Sequence, residues 1–236
     1  MLHKNNYSGQ ILFGRAKSDL CEVEIHLHDS CEIFMALSDN INYFVEDHVY
    51  NLAKGDLILT NPLELHRPQV TNGTPYERRF IQFKPQLFSH LLDKEYNPLK
   101  IFTHRTAGNG NKIELSTSGS SHAPLLIECF DSIEALHTYD DAQNQLLLYS
   151  KLLQLLIHLY EIYNDQPQPT VLLKTMDIRV QKMLTLIEKN FQTKISLDFL
   201  CNSLYMDKYY MSHLFKEATG FTIMEYIQSK RIQLAK

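Results

Sequence analysis

The sequence has no closely spaced cysteine pair and no hydrophobic segment of the signal-peptide kind after its first residues. Its four cysteines are far apart and include no CxxC pair. Scattered cysteines of this kind predict free thiols in a reducing compartment, and the polar start of the chain predicts no secretory signal. We therefore expect a cytoplasmic protein.

A long uninterrupted apolar run is also missing. The most apolar stretch, residues 146–160, is broken by four polar residues: Ser150, Lys151, Gln154 and His158. A bilayer-spanning helix needs about 20 predominantly apolar residues. The sequence therefore predicts no membrane partner.

Charge is present but unevenly divided along the chain. From Asp177 onward there are nine Lys and Arg residues against six Asp and Glu residues, whereas residues 1–176 hold 14 and 21. A mildly basic C-terminal part beside an acidic body favours nucleic-acid contact confined to that part. It argues against a general polyanion binder.

Residues 196–220 predict two short helices joined by a tight turn. Ser196 and Asp207 are good N-cap residues, and Gly220 can end the second helix. Apolar residues recur at helical spacing in both helices: Leu197, Leu200, Cys201 and Leu204, then Met211, Leu214, Phe215 and Ala218. Both apolar stripes are expected to face one core.

The opposite face of the second helix carries hydrogen-bonding and cationic side chains, which suit a major groove. We expect Tyr209, Ser212 and His213 to contact bases. Lys208 and Lys216, with Tyr210, would contact phosphates. The alternative is a solvated helix face in an ordinary helical bundle.

Further amphipathic helices are predicted on both sides of this pair. With them, residues 180–236 resemble the first half of the DNA-binding domain of the AraC/XylS family of bacterial transcription regulators. The matching residues are Ile195, Leu197, Leu200, Tyr210, Met211, Ser212, Leu214, Phe215, Lys216, Gly220, Tyr226, Arg231 and Ala235.

The sequence differs from the family pattern in three respects. Tyr205 stands in the interhelix turn where the family often has glycine, at a cost on the order of 1 kcal/mol. Asp207 stands where the family often has a serine cap, a neutral exchange. Family members carry two helix-turn-helix units, and we expect the second to be missing here. A single unit would bind DNA weakly, or as part of a dimer.

The N-terminal half has a different pattern, with short β-rich runs about every ten residues. Turn signals such as Gly55-Asp56, Asn61-Pro62 and Asn72-Gly73 separate them. Such spacing predicts an antiparallel sandwich or barrel. The fold class is therefore α+β.

Three spaced motifs in this half resemble the two half-motifs of cupin barrels. They are His26-x-His28-x3-Glu32, then Gly55-Asp56, then Pro62-x3-His66. The resemblance covers roughly residues 20–85, and sensor domains of the AraC family share it. It implies a ligand-sensing barrel.

Polar residues within the predicted strands are the candidate ligand-binding groups: His28, Glu32, Tyr43, His66 and Arg78. Carboxylate, imidazole and phenol groups would match a hydroxyl-rich effector such as a sugar. The alternative for each residue is an exposed strand position or a structural contact.

His26, His28, Glu32 and His66 form a three-histidine, one-carboxylate set that could hold zinc, manganese or iron. Along residues 23–27, apolar side chains occupy the strand face opposite the histidines. This pattern favours a polar pocket rather than a metal site. We expect no metal, no cofactor and no catalytic residue. The competing interpretation is a metal-dependent cupin enzyme of the dioxygenase or isomerase type.

A helical segment separates the two halves, with Asp140 and Asp141 between its two helices. The second helix has an apolar stripe wider than one packing partner needs, which favours a homodimer. An intramolecular bundle is the alternative.

We therefore predict a barrel over residues 1–115, a helical dimerisation segment over 116–164, a linker over 165–176 and a helix-turn-helix domain over 177–236. The predicted function is ligand-responsive regulation of transcription, with double-stranded DNA, a small-molecule effector and a second copy as partners. A truncated regulator that acts by pairing with longer relatives is a further alternative.

Overall fold

The computed structural model describes residues 10–18, 26, 28, 30–46, 48–62, 64–70, 76–88, 90–93, 95–105, 108–115, 119–139, 141–165, 177–219 and 222–234. The predicted strand over residues 23–27 lies mostly outside this set. So do the predicted Asn72-Gly73 turn and the linker.

Among the residues that the structure describes, eight strands form two antiparallel sheets in the N-terminal half. The larger sheet has the order β1-β7-β2-β5-β8, and the smaller has the order β4-β3-β6. The strands are β1 (Ile11–Ser18), β2 (Cys31–Ala36), β3 (Ile41–Val45), β4 (His48–Leu52), β5 (Leu57–Thr60), β6 (His66–Gln69), β7 (Tyr76–Phe83) and β8 (Lys112–Ile113). The predicted antiparallel α+β architecture is confirmed.

The larger sheet is covered on both faces, so its central strand β2 is buried throughout. Because successive side chains of a strand point to opposite faces, Phe34 and Ile33 enter different cores. Phe34 belongs to the core between the two sheets, with Tyr43 and Tyr50. Ile33 belongs to a second core beneath the helices. The space between the sheets is the barrel interior.

Helices cover the outer face of the larger sheet. A 3-10 turn (Pro85–Phe88) leads to α1 (Lys100–Thr103), and the long helices α2 (His122–Leu136) and α3 (Ala142–Asp165) follow. The backbone N–H of Asn144 donates to the side chain of Asp141 at 3.0 Å. Asp141 is therefore the N-cap residue at the start of α3. Leu152, Leu155 and Leu159 of α3 are fully buried in the core beneath the sheet.

The C-terminal part consists of α4 (Ile178–Asn190), α5 (Leu197–Leu204), α6 (Lys208–Thr219) and α7 (Ile223–Leu234). Both predicted N-caps are confirmed. The side chain of Ser196 accepts from Phe199 N at 3.1 Å, and Asp207 accepts from Tyr209 N at 2.9 Å. Tyr205 takes the left-handed conformation, with φ of 53°. Gly220 lies outside the described residues.

The four C-terminal helices share one apolar core, which contains Leu200, Met211 and Phe215 as expected. That core also includes Leu65 of the barrel, which is only 1% exposed. Leu65 immediately precedes β6, so the helical unit is seated on the outside of the smaller sheet.

The side chains of two barrel residues, Glu46 and Arg67, also contact the unit there. In the turn between β3 and β4, Glu46 accepts from Tyr226 Oη at 3.2 Å and from Lys230 Nζ at 3.1 Å. The guanidinium of Arg67 lies 5.0 Å from the Phe44 ring centroid and donates to the backbone oxygen of Ala218 at 3.5 Å. Among the described residues, no helix is long and apolar enough to span a bilayer.

Candidate functional site

Four polar side chains meet between the two sheets of the barrel. Glu32 lies on β2 and His66 begins β6, while His26 is joined to His66 by an isolated antiparallel bridge. With His28, these residues offer ligand atoms that all lie within 4.8 Å of one another. We refer to His26, His28, Glu32 and His66 as the polar cluster.

His66 is the most buried member of the polar cluster, with 0% exposure. Its Nδ1 lies 2.8 Å from the backbone oxygen of Glu64, a contact in which the ring nitrogen donates. Burial lowers the pKa of His66 to about 4, so the ring is neutral at pH 7. The lone pair therefore sits on Nε2, a buried atom with no hydrogen-bond partner among the described residues.

Glu32 is the hub of the polar cluster. Its Oε1 accepts from Tyr43 Oη at 3.0 Å, and its Oε2 accepts from Gln82 Nε2 at 2.7 Å and lies 3.2 Å from His28 Nε2. Burial alone would raise the pKa of the Glu32 carboxyl, but the hydrogen bond to His28 and the nearby imidazoles hold that pKa well below its usual range. Glu32 is therefore an ionised acceptor.

Sequence reasoning missed Gln82, which stands 50 positions from Glu32 in the chain. The register of β2 against β7 places the two residues directly opposite each other. A glutamine inside an alternating strand carries no signal of its own, because only the pairing register reveals its neighbour.

The polar cluster fits a divalent metal ion by the chemistry of its donors. Three imidazoles and one carboxylate suit zinc, manganese or iron. In both His28 and His66 the Nδ1 atom lies against a backbone oxygen, of Ser30 at 2.9 Å and of Glu64 at 2.8 Å. Such outer contacts orient the Nε2 atoms of metal-binding histidines, and here both Nε2 atoms are directed toward Glu32.

The predicted ligand residue Arg78 lies apart from the polar cluster, on the same interior face of the larger sheet. Glu32 pairs with Gln82, and four pairs further along the strands, which is two positions further on the same face, Ala36 pairs with Arg78. The Arg78 guanidinium lies over the rings of Tyr76 and Phe80, at 5.6 and 5.1 Å from their centroids. The structure thus brings His28, Glu32, Tyr43 and His66 together and leaves Arg78 further along the barrel.

Helix α6 presents the predicted DNA-contacting residues on the surface. Tyr209 is 81% exposed, and Lys208, His213 and Lys216 are exposed as well. The ion pairs on this face are weak surface pairs: Lys208 Nζ lies 3.3 Å from Asp198, and His213 Nδ1 lies 3.8 Å from Glu217. These side chains are available to a partner.

Tyr210 occupies a different part of the surface from the rest of the predicted set. Its ring lies under the guanidinium of Arg179, 5.4 Å from the centroid, and Arg179 also donates to its hydroxyl. Arg179 belongs to the first turn of α4 and pairs with the N-cap residue Asp177. Arg179, which no sequence motif marks as a DNA contact, adds a cation beside Tyr210 of α6.

Two family models match this chain. Residues 12–156 match the AraC-like ligand-binding domain, and residues 187–228 match the bacterial regulatory helix-turn-helix proteins of the AraC family. The first match covers more than half of the chain.

Individual proteins show the same likeness at low sequence identity. The HTH-type transcriptional activator RhaR of Escherichia coli (strain K12) is 22% identical over 207 residues, which cover 88% of this chain and 70% of that protein. RhaR of Shigella boydii serotype 4 gives the same figures.

Solved structures are more distant. The AraC-like transcriptional activator CuxR has 12% identity and a TM-score of 0.44, over 98% of this chain and 79% of that one. A cupin superfamily protein from Desulfitobacterium hafniense has 10% identity and a TM-score of 0.32, over 36% of this chain and 76% of that one. The two family models therefore carry the assignment.

Proposed function

The chain belongs to the AraC family of bacterial transcription regulators, and from this premise we propose that a small effector bound at the polar cluster controls how α6 engages DNA. The protein is a ligand-responsive transcription regulator. The proposal concerns which residues bind the effector, which bind DNA, and how one site affects the other.

One observation supports the proposal most directly. Strand β6 begins with His66 of the polar cluster, and the residues on either side of His66 contact the DNA-binding unit. The side chain of His66 points into the barrel, whereas its neighbours Leu65 and Arg67 contact the helical unit on the outside. Alternation along a strand makes this arrangement unavoidable. An effector that moves His66 therefore acts on the backbone to which the helical unit is attached.

The effector pocket is polar and its groups are complementary to hydroxyls. Glu32 is an ionised acceptor, Tyr43 donates its hydroxyl to Glu32 and can still accept, and His66 Nε2 is an acceptor without a partner among the described residues. A hydroxyl-rich molecule such as a sugar supplies both donors and acceptors to such a set. We propose this class as the effector, bound by His28, Glu32, Tyr43, His66 and Arg78.

DNA recognition is assigned to the exposed face of α6. Tyr209, Ser212 and His213 would contact base edges in the major groove. Lys208 and Lys216 would contact phosphates, and Tyr210 would do so together with Arg179. Double-stranded DNA is the partner of this face, and the cytoplasm is the compartment in which the protein meets it.

We also propose a homodimer formed through α2 and α3. Several large apolar side chains of these helices are exposed to solvent: Leu125, Ile127, Leu146 and Leu147. Exposed apolar side chains of this kind favour an interface, and a two-fold dimer would place two α6 helices on paired half-sites. Sedimentation that shows only monomer at micromolar concentration would contradict the dimer.

The protein is proposed to have no catalytic activity, and a metal-dependent cupin enzyme is the second candidate. The compact set of ligand atoms in the polar cluster favours this candidate. His26, His28, Glu32 and His66 would hold the ion, which would supply Lewis-acid chemistry or an anchor for an effector's oxygen atoms. Metal analysis of protein purified without a histidine tag tests it. Stoichiometric, tightly held metal that is lost in His66→Gln would establish the metal site.

The regulator function is tested by selecting binding sites from randomised DNA duplexes with the purified chain. We expect one sequence, or a pair of related half-sites, to be enriched. A variant that carries both Tyr209→Ala and His213→Ala should enrich none. If the unaltered protein enriched no sequence at all, the assignment of α6 as the reading helix would be wrong.

A further inference from the structure

We propose that the effector carries a negatively charged group and that Arg78 binds this group inside the barrel. This inference deepens the proposed function and rests on it, because it names the chemical class of the effector. It starts from the surroundings of one arginine.

Arg78 differs from most of the described arginines in having no carboxylate partner. Arg15, Arg79, Arg105 and Arg179 are each paired with an acidic side chain. Arg78 has no ion pair and no hydrogen bond to any residue that the structure describes, and its Nε atom is buried. Removal of a guanidinium N–H from water without a replacement acceptor is unfavourable.

Aromatic rings hold the Arg78 guanidinium instead. Its carbon lies within 5.9 Å of three ring centroids: Phe34, Tyr76 and Phe80. Cation–π contacts of this kind fix the plane of the guanidinium and leave its N–H groups at the edge to other partners. The side chain is therefore positioned without being neutralised.

Small residues flank Arg78 on both neighbouring strands. Its two cross-strand partners are Ala16 on β1 and Ala36 on β2. Two pairs further along β1, on the same face, Gly14 pairs with Phe80, and a Cβ on Gly14 would lie 2.4 Å from the Phe80 ring. Gly14 thus lets the Phe80 ring lie across β1 beside Arg78.

Tyr43 lies between the surroundings of Arg78 and the polar cluster. The ring of Tyr43 contacts Phe34 at 4.6 Å between centroids, and its hydroxyl donates to Glu32. Burial and the charge of Glu32 raise the pKa of Tyr43 well above its ordinary value, and the charge of Arg78 acts in the opposite sense. An effector long enough to extend past Tyr43 would therefore meet the polar cluster at one end and Arg78 at the other.

These features together point to a small organic anion. The planar guanidinium of Arg78, whose N–H groups donate to none of the described residues, matches a carboxylate in a bidentate geometry. Hydroxyl groups elsewhere on the molecule would meet Glu32 and His66. A polyhydroxy acid satisfies both ends of the pocket, whereas a neutral polyol leaves Arg78 without an acceptor.

The test uses a matched pair of probes, gluconate and sorbitol, which differ only in a carboxylate against a CH₂OH group. Thermal unfolding of the full chain is measured with each probe, and chloride keeps the ionic strength constant. Gluconate should raise the Tm by several degrees at high concentration, and sorbitol should raise it less. Equal shifts from the two probes, or no shift from gluconate, would overturn the proposal.

Two neighbouring arginines supply the variants. Arg78→Met should abolish the difference between gluconate and sorbitol. Arg79→Met is the control, because Arg79 faces the helices, where it pairs with Asp131. If Arg78→Met does not fold, Arg78→Gln serves in its place. Persistence of the gluconate effect in a folded Arg78 variant would also overturn the proposal.

DNA binding by the same preparations separates this inference from the proposed function. Arg79→Met should still bind the sequence selected by the unaltered protein, because Arg79 lies outside both proposed binding sites. Absence of DNA binding in the unaltered protein would contradict the regulator function. Absence of an anion effect in a protein that binds DNA would contradict only the role of Arg78.

Discussion

Lys230 of α7 forms an ion pair with Glu46 in the turn between β3 and β4, with 3.1 Å between Nζ and Oε1. The two side chains are only 9% and 8% exposed. Glu46 also accepts from the backbone N–H of Leu65 at 2.8 Å. One carboxylate therefore holds the strand behind the polar cluster and the last helix of the DNA-binding unit together.

Charge reversal at this pair should detach the helical unit from the barrel. Glu46→Lys or Lys230→Glu places like charges in a buried contact, and loss of one partner of such a pair costs about 3 to 5 kcal/mol. The double variant should recover part of the docking, because the ion pair is restored in reverse. Distances between spin labels on the barrel and on α6 measure the effect.

The exposed pair of Lys208 and Asp198 provides the control for this experiment. Its atoms are 3.3 Å apart, but both side chains are more than half exposed. Charge reversal there should leave the distance between barrel and α6 unchanged. If the Glu46 variants also left it unchanged, the docking contact would not depend on this ion pair.

Replacement of single residues on α6 should separate base contacts from phosphate contacts. His213→Ala should relax the sequence preference at one base pair by about 1 to 3 kcal/mol. Lys216→Ala should weaken all duplexes alike and lower the salt dependence of binding by about one unit of slope. Competition among single-base variants of a selected site measures the first effect. An unchanged site preference in His213→Ala would mean that the helix is oriented differently.

The turn before α6 should tolerate glycine better than tyrosine. Tyr205 has a φ of 53°, and its side chain is 96% exposed, so little packing offsets the backbone strain. Tyr205→Gly should stabilise the protein by about 0.5 to 1 kcal/mol, since only glycine takes this conformation without steric cost. Urea unfolding measures the change. Tyr209→Gly, in the first turn of α6, should be neutral or destabilising.

Histidines on the two long helices should make stability depend on pH. His122 Nδ1 and His158 Nδ1 are 3.0 Å apart, and burial, then the charge of His122, lowers the pKa of His158 despite the opposing charge of Glu128. The unfolded chain therefore binds more protons than the folded chain below about pH 6.5. The free energy of unfolding should fall as the pH falls through that value.

His158→Gln should remove this contribution, and His122→Gln should reduce it. His90→Gln, which replaces an exposed histidine, is the matched control. Chemical unfolding at pH 7.5 and at pH 5.5 provides the comparison. A His158→Gln variant with the pH dependence of the unaltered protein would show that the pair does not titrate on unfolding.

Local features of the fold could be predicted from the sequence because they depend on near neighbours. Ser196 and Asp207 act as N-caps across three residues or fewer, and their chemistry identifies them in any context. The polar cluster could also be predicted, because His26, His28 and Glu32 follow the spacing of one motif and a separate motif supplies His66.

Long-range pairings could not be predicted in this way. Gln82 meets Glu32 only through the register of β2 and β7, and Lys230 meets Glu46 across 184 positions. Neither Gln82 nor Lys230 lies in a sequence pattern that identifies its partner. Arg78 was selected for its polarity, but its contacts with aromatic rings depend on which face of β7 it occupies.

Leu65 has a consequence for how the protein can be divided. Its side chain is buried by the C-terminal helices rather than by the barrel that carries it, and Phe44 packs partly against the same helices. A barrel produced without residues 177–236 would display both side chains to water beside the short sheet β4-β3-β6. We expect such a fragment to aggregate and to be poorly soluble, and we expect Leu65→Ser to restore its solubility.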